Sequence, residues 1–217
     1  MSPLRKQFEA EAKECLVARG FKRHNTGYGC YYYTQNNKEN EKIAYFLGIT
    51  SYAVPKHLFV APQIGVRYEN VEQLVKKLMS DNTDCVFTFS QHVGYLMPQD
   101  SWYEMDYHEG VEKEKFWDEL MHQIENYGDP YAENLLNIDN LITEIENVGI
   151  GTCEQLPILR LPVLYYIRGY EVNRGLKYIE RVLRKEPIFG NRIFTENYIE
   201  QYKMLYETPP TNQTTKK

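Results

Sequence analysis

His24, His57, His92, His108 and His122, with Cys15, Cys30, Cys85 and Cys153, are the side chains best suited to ligate a metal or act as a nucleophile. Their spacing matches neither use. No C-x-x-C occurs, and no H-E-x-x-H or comparable ligand pattern joins the histidines. His108 and His122 flank a carboxylate-rich stretch, and Glu104 and Asp106 share the strand face of His108, yet the intervals fit no metal site. Cys85 could meet His57 or His92 only through tertiary contact. It stands on an apolar strand face, where a buried structural thiol is the ordinary outcome. "TGYGCY" (26–31) holds G-x-G without a third glycine and opens a strand instead of a helix, so it is no dinucleotide fingerprint. Phosphate-loop, G-x-S-x-G and kinase signatures are missing as well. The sequence predicts a non-enzymatic protein with no metal and no cofactor.

Binding chemistry is better represented. "SWYEMDYHEGVEKEKFWDEL" (101–120) interleaves Trp102, Tyr103, Tyr107, Phe116 and Trp117 with carboxylates. Tryptophan and tyrosine anchor interfaces, and acidic side chains steer a cationic partner. The candidate partner-binding residues are therefore Trp102, Tyr103, Glu104, Asp106, Tyr107, Glu109, Glu112, Glu114 and Asp118. Trp117 reads first as a helix core residue. Nineteen tyrosines in 217 residues serve equally for half-buried strands and for recognition surfaces.

The charge is unevenly spread. Residues 1–108 balance, whereas 109–147 carry eleven carboxylates against Lys113 and Lys115, and 158–207 are mildly basic. Such a field repels phosphate, so nucleic acid is not expected as a ligand; a basic protein is. Two readings of these acids stay open at this point. They face a partner, or they are solvated helix faces neutralised by the basic helices that follow.

The elements that must position these residues are legible from periodicity. Leu4, Phe8, Ala12, Cys15, Leu16 and Arg19 predict a helix over 2–19, stopped by Gly20. Runs 28–35 and 41–52 flank the polar turn "NNKEN" as a hairpin, and 56–68 puts Leu58, Val60, Ile64, Val66 and Tyr68 on one face. Pro62 predicts an edge or a bulge there. Asn70 with Gln73 predicts a capped helix striped by Val71, Leu74, Val75, Leu78 and Met79. Residues 84–97 alternate as a strand, and 101–108 form a weaker one.

Beyond 110 the period becomes helical. One helix carries Phe116, Trp117, Leu120, Met121, Ile124 and Tyr127 and ends at "YGDP". A second runs from Leu135 to Val148 and stops at Gly149 and Gly151. A helical hairpin spans 161–187 with a break near Gly169, and a last helix covers 194–207. The expected fold is α+β: an N-terminal helix with an antiparallel sheet and a covering helix over 1–109, then an all-helical region over 110–207 packed on it. The tail 208–217 is expected to be disordered.

Scattered thiols fit a reducing compartment, an N-terminus without an apolar core is not expected to be a signal peptide, and no run is apolar enough for a membrane span. A cytoplasmic protein without membrane contact is the expectation.

The elements "ARGFKRHNTGYGCYYY", "KIAYFLGITSY" and "FVAPQIGVRYENVEQLV" resemble domain-of-unknown-function family 4304 and similar small α+β bacterial proteins. The matching residues are Gly20, Phe21, Lys22 and Arg23; Phe46, Leu47, Gly48 and Ile49; and Ile64, Gly65, Val66, Arg67 and Tyr68. The resemblance covers the first half of the chain and brings no catalytic residues. It implies a bacterial immunity protein that occludes a cognate toxin. The alternative from the residues alone is an enzyme or small-molecule-binding protein with a pocket between sheet and helices near Arg67, Tyr68 and His92, or a scaffold role.

Overall fold

A computed structural model describes residues 2–23, 30–33, 41–50, 56–79, 87–148, 157–185 and 192–207. The G-x-G at 26–31 in part, the turn "NNKEN", Cys85, Cys153, the glycines at 149 and 151, and the tail 208–217 lie outside the described residues. The fold is α+β, with a first helix, an antiparallel sheet and then helices.

Helix α1 (Pro3–Ala18) starts where Ser2, in an extended conformation, accepts a hydrogen bond from the Arg5 N–H at 3.3 Å. Phe8, Ala12 and Leu16, each four residues apart, form its buried stripe.

The sheet comprises β1 (Phe21–Arg23), β2 (Cys30–Tyr33), β3 (Glu41–Thr50), β4 (His57–Tyr68), β5 (Phe89–His92) and β6 (Met105–His108), all pairings antiparallel. Strand β4 is central, not an edge. It pairs with β3 along one flank, while the other flank is shared: His57–Val60 face β6 and Gln63–Val66 face β5. Pro62 stands in the gap between those two partners, where a missing donor on that flank breaks no ladder bond. Leu58, Val60, Ile64, Val66 and Tyr68 are all buried as their alternation requires.

Helix α2 (Glu69–Met79) begins two residues earlier than a cap at Asn70 implies, and Asn70 sits in its first turn with Oδ1 accepting from the Val71 N–H at 2.9 Å. Strand β5 ends at His92, and Val93–Leu96 is a 3₁₀ turn, so Val93 and Tyr95 do not continue a strand. The His92 ring causes this by accepting from the Gly94 N–H at 3.1 Å, which closes the chain into a turn.

Helix α3 (Lys113–Gln123) does not end at "YGDP". It widens into a π turn over Ile124–Gly128 and continues as α4 (Asp129–Asn134). The Asp129 N–H reaches back to the Ile124 carbonyl, and Pro130, which has no N–H to place, opens α4.

Helices α5 (Ile138–Val148), α6 (Pro157–Arg168), α7 (Val172–Lys185) and α8 (Arg192–Glu207) complete the chain. Gly169, at φ +83°, makes the turn between α6 and α7, a conformation that costs glycine nothing. One continuous buried cluster runs from Phe8 and Ile64 through Leu120 and Ile142 to Leu164 and Tyr202, joining sheet and helices. Among the described residues no helix is long and apolar enough to cross a membrane.

Candidate partner-binding face

The stretch 101–120 divides between the inside and the outside of the molecule. Tyr107 is 0% exposed, one of the largest buried side chains, and its hydroxyl donates to Glu11 Oε2 at 2.8 Å. It cannot touch a partner, which corrects its place among the expected binding residues. The reason is register: β6 alternates, and Tyr107 opposite Leu58 shares the inward face. Trp117 is buried too, its indole N–H 3.4 Å from the same Glu11 oxygen. Phe8, Tyr107, Phe116 and Trp117 form one ring cluster, with centroids 5.1–6.4 Å apart.

Glu11 anchors this cluster from α1 and also pairs with Lys113. Burial works against its charge, but hydrogen bonds from Lys113, Tyr107, Gln7 and Trp117 outweigh it and hold the carboxyl below the usual range. The same arrangement pushes the Tyr107 phenol well above its ordinary value, chiefly through burial.

Trp102 takes the opposite course. It is 51% exposed, yet its ring lies flat on His92, centroids 4.1 Å apart and planes 12° from parallel. Its indole N–H donates to Glu104 Oε2 at 2.9 Å. His92 is buried, and Tyr95 adds an exposed ring edge-on to it at 5.7 Å. Burial holds the His92 imidazole below its usual range, against the raising influence of the Tyr103 backbone and the Glu104 charge. Gly94 lets the 101–103 segment lie against the 3₁₀ turn: a Cβ there would sit 2.2 Å from the Ser101 carbonyl oxygen.

Tyr103 is half-buried beside Trp102. Burial first, and then the charge of Glu119, push its phenol up to about 12. That places the α3 carboxylate Glu119 next to the 101–104 segment. Glu112 and Glu114 are exposed at the start of α3 and have no ion-pair partner among the described residues.

Other expected residues are already engaged. Asp106 pairs with His57 at 2.8 Å, and Glu109 with Lys56 at 3.0 Å. Asp118 is exposed but faces α1, where its charge acts on Cys15 beside Arg19, and Glu125 on the same face lies 3.9 Å from Arg19. On α5 two of the three acids meet arginines, Asp139 with Arg168 at 2.6 Å and Glu146 with Arg174 at 2.9 Å, and the third, Glu144, accepts from the Tyr131 hydroxyl at 2.8 Å. The outward negative field therefore belongs to α3 and the 101–104 segment, not to both acidic helices.

Sequence reasoning missed His92, Tyr95 and Glu119 as parts of this face. Glu119 had a signal, lying one and two turns beyond Lys115 and Glu112 on the same helical row. His92 had none, because its role depends on stacking across the fold. The three side chains expected around a pocket are committed elsewhere. Arg67 pairs with Glu69 at 2.8 Å, the Tyr68 hydroxyl donates to the Leu135 carbonyl at 2.8 Å, and His92 is held by Gly94. Among the described residues no group of three or more histidines, cysteines or carboxylates is placed to hold a metal.

Fold and face together define an α+β protein carrying a half-exposed, pinned tryptophan at the margin of an acidic helix. Comparison with protein-family models, with curated proteins and with solved structures gives no match.

The buried His92 and the half-buried Glu11 and Glu146 give this fold a definite acid response. His92 has a lowered folded pKa, so the unfolded chain takes a proton that the native state refuses once pH falls below about 6.5. Glu11 and Glu146 have lowered carboxyl pKa values, so their stabilisation, present above about 4.5, is lost as pH falls further. Urea midpoints measured from neutral to acid pH should fall in those two phases. His92→Phe, which keeps a ring beneath Trp102, should remove the first. A flat midpoint down to pH about 4.5 would contradict the His92 assignment.

Proposed function

We propose that this chain is a non-enzymatic binding protein for a basic protein, of the immunity kind that occludes a cognate toxin, as its resemblance to family 4304 implies. One observation carries the reading: Trp102 is exposed yet immobilised, stacked on His92 and bonded to Glu104, beside the uncompensated carboxylates of α3. A tryptophan fixed before binding loses little entropy on docking, which is what an interface hot spot requires. Glu104 bonds it directly, Glu119 acts on the adjoining Tyr103, and the exposed Glu112 and Glu114 add charge at the start of α3 that draws in a cationic surface. Tyr103 supports the segment from below, and Tyr95 widens the aromatic contact.

The test is binding of the purified protein to the product of a neighbouring gene at low and high salt. Trp102→Ala should weaken the complex by about 2 kcal/mol, roughly thirtyfold in Kd, mainly through faster dissociation. Glu112→Gln with Glu119→Gln should slow association and flatten its salt dependence. Absence of a complex with any adjacent gene product would remove the proposal. Unchanged affinity in Trp102→Ala would move the interface elsewhere.

A further inference from the structure

A second feature stands apart from the acidic face. Between α5, α6 and α7 opens a cleft of about 410 Å³ lined by Glu146, Tyr165, Arg174, Lys177, Tyr178 and Arg181. That volume falls in the range of small-ligand pockets. Its charge is the reverse of the α3 face, with three cations against one carboxylate.

The carboxylate is already spent. Glu146 accepts from the Tyr165 hydroxyl and from Arg174 Nη2 at 2.9 Å. Burial works against its charge, but those two donors outweigh it and hold the carboxyl below its usual range. Arg174 is fixed further by cation–π contact with Tyr165 and Tyr170, at 4.7 and 4.1 Å. It is thus a rigid guanidinium on the cleft wall.

Lys177 and Arg181 follow at one and two turns along α7. Both are exposed, and neither has a carboxylate partner among the described residues; Arg181 rests 5.3 Å above the Tyr178 ring. Three cations on one helical row repel each other, a local cost that the single carboxylate, bonded to Arg174 and attracting Arg181 by charge, offsets in part. An arrangement with two exposed cations beside a fixed guanidinium suits a compact dianion. The cleft is larger than a free phosphate ion, and the largely buried rings of Tyr165 and Tyr178 line it beneath Arg174 and Arg181. Burial pushes the Tyr178 phenol up to about 12, so it remains a neutral donor and does not oppose an anion.

We infer that the α5–α6–α7 cleft binds a phosphate monoester of a small aromatic or apolar body, with Arg174, Lys177 and Arg181 on the phosphoryl oxygens and Tyr165 and Tyr178 against the body. This site is independent of the partner-binding face and stands or falls separately from it.

The experiment is calorimetric titration of the full chain with phenyl phosphate, inorganic phosphate and benzoate. Phenyl phosphate should bind saturably, inorganic phosphate more weakly, and the monoanion benzoate most weakly. Lys177→Gln and Arg181→Gln, both at exposed positions, should each weaken phenyl phosphate about tenfold. Lys203→Gln, an exposed lysine of α8, should leave it unchanged. No saturable binding of phenyl phosphate overturns the inference, as does binding indifferent to Lys177→Gln and Arg181→Gln. Equal weakening by Lys203→Gln would reduce it to diffuse charge attraction, and benzoate binding as tightly as phenyl phosphate would exclude the phosphate class.

Discussion

Arg160→Met is expected to destabilise the protein by about 3–5 kcal/mol, the cost of leaving a buried carboxylate without its counter-charge. Arg160 and Glu72 are 4% and 3% exposed at their side chains and meet in a two-pronged pair, Nε to Oε1 at 3.0 Å and Nη2 to Oε2 at 2.9 Å. The pair ties α2, which covers the sheet, to α6 of the helical half. Its remaining oxygen capacity is used by the Thr88 hydroxyl, which donates to Glu72 Oε1 at 2.8 Å and itself accepts from the Tyr68 N–H at 2.8 Å. A polar chain thus runs from β4 through α2 to α6.

Desolvating both ions is costly, so the pair adds less to stability than its removal would suggest. The double variant Glu72→Leu with Arg160→Met should recover most of the loss. It should remain about 1 kcal/mol below the original, because Thr88 keeps an unmet donor. Urea unfolding of the three proteins measures both quantities. A single variant within about 1 kcal/mol of the parent would show that the pair does not act as a buried tie between α2 and α6.

Phe8→Ala should cost a similar amount, about 3–5 kcal/mol, for a different reason. Phe8 is 0% exposed and stacks on Trp117 at 5.3 Å while meeting Tyr107 edge-on at 5.1 Å. Three elements converge on it: α1, β6 and α3. Its neighbours are large, flat and pinned by hydrogen bonds to Glu11, so they cannot collapse into the space left behind. The expected readout is a loss of urea midpoint with a changed Trp117 environment in fluorescence. Phe8→Leu should restore more than half the stability, because most of the lost volume returns. Equal destabilisation by both variants would indicate a role for the ring contacts beyond filling space.

These two sites show how far the sequence could be read. The stripes of α1 and α2, the face of β4 and the inward residues Tyr198, Tyr202 and Leu205 of α8 follow from spacing, because burial of one face imposes a fixed period. Trp117 as core was legible for the same reason. Pro62 misled, since a missing N–H is an edge signal only when both flanks of a strand are continuously paired. "YGDP" misled because a π turn leaves no mark in composition: the chain absorbs the proline by widening one turn. Tyr107 misled through its company, standing among carboxylates that point the other way.

By itself the sequence determined the class of fold, most of the order of its elements and the buried faces of α1, α2, β4 and α8, because these depend on local periodicity. Only the tertiary structure decided where the charge ends up. Asp139 and Glu146 are silenced by arginines 29 and 28 residues away, Glu72 is paired across 88, and Trp102 rests on a histidine ten positions earlier. Ion pairing and ring stacking act at a few ångströms between residues distant in sequence, so spacing along the chain carries no record of them.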